Sequence, residues 1–158
     1  RRRAVLYVCN ATPCDQMGQV IKENLAAIGI AVQVKKIAVQ AMFDRLSRKG
    51  EPFDLAPIGW LSDYPDPAQF LNVLLTSGVI PTFDEPAYRR KLATVAGLSG
   101  PARYLAYGKL DADLSRNAAP WVAISNSSSR DFFSARMGCQ VFQPAFGMMD
   151  IAALCIRP

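Results

Sequence analysis

The stretch GWLSDYPDP, residues 59–67, gathers the side chains best suited to chemistry. Trp60 stands three residues before Asp63, a second carboxylate follows at Asp66, and Pro65 and Pro67 restrict the backbone around them. Two neighbouring carboxylates suggest the acid and base of a hydrolase. Asp66, however, directly precedes Pro67, the arrangement of a helix N-cap followed by the first helical residue. That structural task argues against a paired-carboxylate hydrolase, and Asp63 lies in the loop before the cap. A loop held by prolines presents a charge with little entropy lost on binding. A ligand ammonium would gain about 1.5–3 kcal/mol from such an acceptor. The alternative for Asp63 is an Asx-turn bond within its own loop. Trp60 suits packed core or a pocket wall equally by type. Leu61 and Ser62 offer backbone groups to an extended ligand, and Tyr64 is a further candidate.

Other chemistries are excluded or weakly supported. The chain has no histidine, so Ser-His and Cys-His nucleophiles and His-ligated metals are absent. Cys9, Cys14, Cys139 and Cys155 do not have the spacing of two close zinc-binding pairs. Three disulfide pairings are open, of which Cys9–Cys14 with Cys139–Cys155 is the most local, and four free buried thiols are the alternative. Disulfides would imply an oxidising compartment. The net charge is +5, and Arg1, Arg2 and Arg3 supply three of those charges. A nucleic-acid arm is one reading of the triplet, a terminal remnant the plainer one, because the remaining Lys and Arg form no stripe. No cofactor motif is present.

Apolar residues make up 51% of the 158 and charged residues 20%, enough for a buried core in one domain or one lobe. No run reaches the ~18 apolar residues of a membrane span. The opening Arg triplet is not a signal peptide and reads as the start of a piece of something longer. AVLYVC (residues 4–9) reads as a buried strand. Thr12 and Pro13 then open a helix carrying Met17, Val20, Ile21, Leu25 and Ile28 on one face, which stops at Gly29. Residues 30–35 alternate as a second strand. Residues 40–49 form a second helix with Met42, Phe43 and Leu46, and Phe53 begins a third strand, FDLAPIGW. This βαβαβ order implies a mostly parallel sheet with right-handed crossovers. GWLSDYPDP then starts at the carboxyl end of the third strand, the edge where ligands sit in open α/β sheets, and residues 12–15 open on the same edge. Three helices follow, at AQFLNVLL, residues 86–96, and the long segment after Ser99. WVAIS, DFFSARMGCQVFQP and IAALCIRP supply strand-like additions, and SNSSSRD is a polar loop.

The order of these elements, with IGI before the second strand and FDLAPIGWLSDYPDPAQFLNVLLTSG after the second helix, resembles the extracytoplasmic solute-binding proteins of peptide-type ABC transporters, the oligopeptide/dipeptide/nickel-binding class. ARYLAYGKLDADLSRNAAPWVAIS and GMMDIAAL add weaker support by their order. The likeness runs over nearly the whole chain, but only to the family's carboxyl-terminal lobe.

The resemblance implies a periplasmic-binding-protein-like lobe, non-enzymatic and periplasmic, that closes with a missing amino-terminal lobe over a peptide or similar solute and delivers it to ABC permease subunits. Relatives of this class also carry nickel chelates, sugars or opines. It implies that Asp63 takes a peptide α-ammonium and that Trp60 lines the cleft. Arg48, at the end of the second helix, is a candidate for a ligand carboxylate, against a solvated basic patch with Arg45 and Lys49. A carboxylate hydrolase and a basic nucleic-acid module are the competing readings.

Overall fold

Strand β1 (Arg2–Cys9) passes from exposed at its start to buried over its last four residues. The structure, a computed structural model, describes residues 2–80, 83–126, 128, 130–144 and 147–157. Expectations for Arg1, Ser127, Ser129 and Pro158 lie outside the described residues. The chain divides into two compact units: Arg1–Gly59 with Leu74–Glu85, and Trp60–Val73 with Pro86–Pro158.

In the first unit β1 pairs in parallel with β2 (Ile30–Ile37) along its full length, from Arg2 opposite Ile30 to Cys9 opposite Ile37. Helix α1 (Cys14–Ala27) forms the crossover, and α2 (Val39–Leu46) follows β2. The two-residue period of β1 divides its side chains between two faces. Leu6 and Val8 pack with Val32, Ile21, Leu25 and Val34, while Tyr7 and Cys9 pack with Met42, Leu46, Ile37 and Phe53. A strand covered on both faces needs a continuous apolar run, which VLYVC supplies. The α1 stripe is narrower than the periodicity suggests. Gly18 is buried and Ile21 and Leu25 reach the core, whereas Val20 and Ile28 are exposed. Thr12 does not cap α1; Pro13 occupies the cap position without a side-chain bond. Gly29 takes φ +84°, the left-handed turn expected there.

The third strand shrinks to one parallel bridge, Leu6 to Leu55. Tyr7 N–H donates to the Leu55 carbonyl at 2.9 Å, and Leu55 N–H donates to the Val5 carbonyl at 3.1 Å. Two local features stop the ladder. Asp54 Oδ2 takes the Val5 N–H at 2.6 Å, and Pro57 has no N–H to continue the pairing. Arg2 and Arg3 are β1 residues paired to Ile30 and Ala31, which counts against a free basic arm.

The second unit contains α4 (Pro86–Ala96), α5 (Gly100–Asp113) and a π-helical extension, Leu114–Ala118. Leu92, Val95, Tyr107, Leu110 and Leu114 are its buried apolar residues along these helices. Lys91 pairs with Asp113, joining the two helices at the surface. Helix α3 (Ala68–Thr76) begins in this unit and ends in the other. The carboxyl-terminal additions are short: β3 (Met137–Gly138) pairs antiparallel with β6 (Cys155–Ile156), and β4 (Phe142–Gln143) with β5 (Met148–Met149). WVAIS is not a strand, because no described segment pairs with it, and Val122 and Ile124 are exposed. Cys9–Cys14 and Cys139–Cys155 are disulfides, so the thiol and zinc alternatives fall away.

Candidate functional site

The corner from Trp60 to Pro67 has no regular backbone structure, yet side chains from α3 and α5 hold it in place. Gln69, in the first turn of α3, is the one buried polar residue among the described side chains. Its carbonyl accepts the Trp60 indole N–H at 2.9 Å, its Oε1 accepts the Asp63 N–H at 3.3 Å, and its own N–H donates to the Asp66 carbonyl at 3.1 Å. One residue therefore ties three positions of the corner to the helix. The bonds exist because the chain turns back on α3 through Pro65 and Pro67, which bring residues six and nine apart into hydrogen-bond range.

Asp66 performs the capping task its sequence position suggests. Its Oδ1 accepts the Ala68 N–H at 2.8 Å, opening the first turn of α3. Both of its oxygens also meet Arg103 of α5, through Nε to Oδ2 at 2.9 Å and Nη2 to Oδ1 at 2.8 Å. The remaining Arg103 nitrogen, Nη1, donates to the Ala96 carbonyl at 2.6 Å and the Leu98 carbonyl at 3.2 Å, at the end of α4. The guanidinium lies 4.9 Å from the centre of the Tyr107 ring, one helical turn along α5. The Tyr107 hydroxyl in turn donates to Asn72 Oδ1 at 2.6 Å. The hydrogen bonds from Arg103 hold the Asp66 carboxyl below its ordinary value, and the Ala68 N–H acts in the same direction, against the opposing effect of burial.

Asp63 contrasts with Asp66. Its side chain is exposed, and among the described residues no group donates to its carboxylate; the alternative Asx-turn bond is not formed. Leu61 and Tyr64 flank it and are 74% and 51% exposed, large values for apolar side chains in a constrained loop. Trp60 and Ser62 are half-buried. The structure thus gathers Trp60, Leu61, Ser62, Asp63 and Tyr64 on one pinned loop. Arg48 belongs to the first unit, just beyond the end of α2, where it is exposed and its N–H donates to the Arg45 carbonyl at 3.0 Å. Sequence reasoning did not single out Gln69, Arg103, Asn72 or Tyr107. The four-residue spacing of Arg103 and Tyr107 on one helix was the available signal for a stacked guanidinium. Gln69 carries no such mark, because its role appears only once the corner folds back. Among the described residues no cluster of acidic or cysteine side chains fits a metal ion, and no helix is long and apolar enough to cross a membrane.

A parallel strand pair with a crossover helix, further helices and short antiparallel additions defines an α/β lobe of the periplasmic-binding-protein type. The sequence profile of the bacterial extracellular solute-binding proteins, family 5 (Middle), matches residues 2–81, half of the chain, and the chain belongs to that family of binding proteins. Among solved structures, the clavulanic acid biosynthesis oligopeptide binding protein 2 aligns with TM-score 0.80 and 21% identity over 99% of this chain and 31% of its own. The substrate-binding domain of an oligopeptide ABC transporter from Bacillus anthracis aligns with TM-score 0.75 and 14% identity, over 99% of this chain and 31% of its own. The Helicobacter pylori periplasmic binding protein DppA, in complex with the peptide STSA, aligns with TM-score 0.65 and 23% identity, over 76% of this chain and 24% of its own. This chain thus spans a third or less of each of these proteins. A search of curated proteins gave no match.

Proposed function

We propose that this chain is a lobe of an extracytoplasmic receptor that traps a peptide-class solute against a second, amino-terminal lobe and passes it to an ABC permease. Asp63 receives the ligand ammonium, Trp60 and Tyr64 flank the ligand, and Leu61 and Ser62 offer it backbone groups. The observation that carries this reading is the contrast between the two aspartates. Asp66 is committed to a helix cap and a guanidinium, whereas the Asp63 carboxylate stands exposed, with no donor among the described residues, on a loop already held in place. A carboxylate fixed in this way meets an ammonium without first ordering its own backbone. The oligopeptide-binding relatives and the peptide-bound DppA support the choice of solute class. Closure of two lobes over a bound solute requires that the ligand contact both, so the ligand stabilises the closed state. The lobe performs no chemistry of its own, and nucleic acid is not a partner. Arg48 is a second contact, for a ligand carboxylate. Two disulfides suit an oxidising, extracytoplasmic setting.

The test is calorimetric titration of the complete two-lobe protein with a tripeptide and with its N-acetylated form. The free amino terminus should bind more tightly by about 2 kcal/mol, or roughly thirtyfold, and Asp63→Asn should remove that preference. Equal affinity for both peptides in the unaltered protein would exclude the assigned role of Asp63.

A further inference from the structure

We infer that Gln69 is a positioning residue for Asp63: its buried side-chain amide fixes the Asp63 backbone and so sets the direction in which that carboxylate meets a cationic ligand. The inference rests on the reading of Asp63 as the ammonium acceptor. A glutamine side chain excluded from water is costly unless its polar atoms are used. Gln69 is 5% exposed, and its Oε1 accepts the Asp63 N–H at 3.3 Å. The other two bonds to the corner, from the Trp60 indole and to the Asp66 carbonyl, use the Gln69 backbone. Substituting the side chain therefore leaves both in place and releases only Asp63. Helix geometry supports the same division of labour. The Asp66 cap and the Arg103 pair anchor the start of α3, on which Gln69 sits, while the Gln69 side chain reaches from that anchored turn to the loop. An apolar side chain of similar length at position 69 would preserve the helix and leave the Asp63 N–H without its acceptor.

The experiment uses the complete two-lobe protein, isotopically labelled and titrated with trialanine and separately with N-acetyltrialanine. Responses are read from the Trp60 indole N–H and from the backbone amides of residues 60–69. The unaltered chain should favour the free amino terminus by about tenfold or more. Gln69→Met should reduce that preference to about threefold or less, with the Trp60 indole resonance of the unliganded chain unmoved. A purely structural role would weaken both peptides equally and leave the ratio intact, and that result overturns the inference while leaving Asp63 as the acceptor. A preference that persists in Asp63→Asn, or a corner that responds to neither peptide, removes the acceptor reading and the positioning role with it. If Gln69→Met does not fold, Gln69→Leu replaces it, because it too removes the acceptor of that N–H: a preference reduced to about threefold or less supports the role and a preserved preference overturns it. Amide exchange in the unaltered chain supplies a check free of any substitution. Asp63 should exchange at least about tenfold more slowly than Leu61 after correction for sequence, and equal rates overturn the inference.

Discussion

Arg103 grips Asp66 with two hydrogen bonds and, through its third nitrogen, holds the carbonyls that end α4. A planar fork with five donors can serve a carboxylate and a helix end together, and a lysine ammonium cannot match that geometry. The Asp66 and Arg103 side chains are 19% and 16% exposed, so removing either leaves a largely buried charge alone. Arg103→Met should cost about 3 kcal/mol of stability, and Arg103→Lys should recover less than half of it. Denaturant unfolding of the three chains, with equal m-values, checks both figures. Full recovery by lysine would show that charge alone matters.

The same pair makes stability depend on acid. The folded Asp66 carboxyl titrates below its ordinary value of 3.8, chiefly because Arg103 donates to it. Between the folded and unfolded values the unfolded chain binds more protons, so stability rises with pH there. The contribution is complete above the unfolded value and is lost as pH falls through the folded one. Asp113, lowered by Lys91 and Asn117, has the same sign. Asp66→Asn should keep the cap on Ala68, since asparagine is an equally good N-cap, but lose the ion pair. Its melting temperature should be lower than that of the unaltered chain at pH 7 and fall less steeply between pH 5 and pH 2.5. Parallel profiles would exclude Asp66 as a source of the acid sensitivity.

Close approach of α1 to β1 gives a third expectation. A Cβ added at Gly18 would lie 2.7 Å from Val8 Cγ1, and Val8 is fully buried and β-branched. Alanine would gain up to about 1 kcal/mol of helix propensity, yet the clash should outweigh it and leave Gly18→Ala destabilised by about 1–2 kcal/mol. Trimming the partner should reverse the sign of the second substitution: in a Val8→Ala background, Gly18→Ala should stabilise. A double-mutant cycle measures this coupling directly.

These cases show what the sequence could and could not disclose. The buried strand at β1, the turn at Gly29 and the cap at Asp66 were legible because each depends on near neighbours in the chain. The third strand was not, because its apolar run looked complete while Asp54 took the Val5 N–H and Pro57 withheld its own. WVAIS failed for a related reason: a strand is defined by its partner, and residue types alone do not supply one. The corner was visible as a likeness to a family, through Trp60, Asp63 and Asp66. Its support was hidden, since Gln69 and Arg103 act through contacts as distant as the 37 positions that separate Arg103 from Asp66.

The second disulfide offers the last expectation. Cys139–Cys155 closes a 16-residue separation beside the two-residue pairing of β3 with β6, in which Gly138 faces Cys155. So short a ladder buries little apolar area, and the cross-link limits the unfolded chain more than the ladder steadies the folded one. Replacing both cysteines with serine should lower stability by about 3 kcal/mol. The loss should be local before it is global. Amides of residues 137–156 should exchange faster, while those of β1 and β2 keep their protection, because Leu6, Val8 and Val32 pack in the other unit. Uniform acceleration across both units would instead mean that the chain unfolds as a single cooperative body.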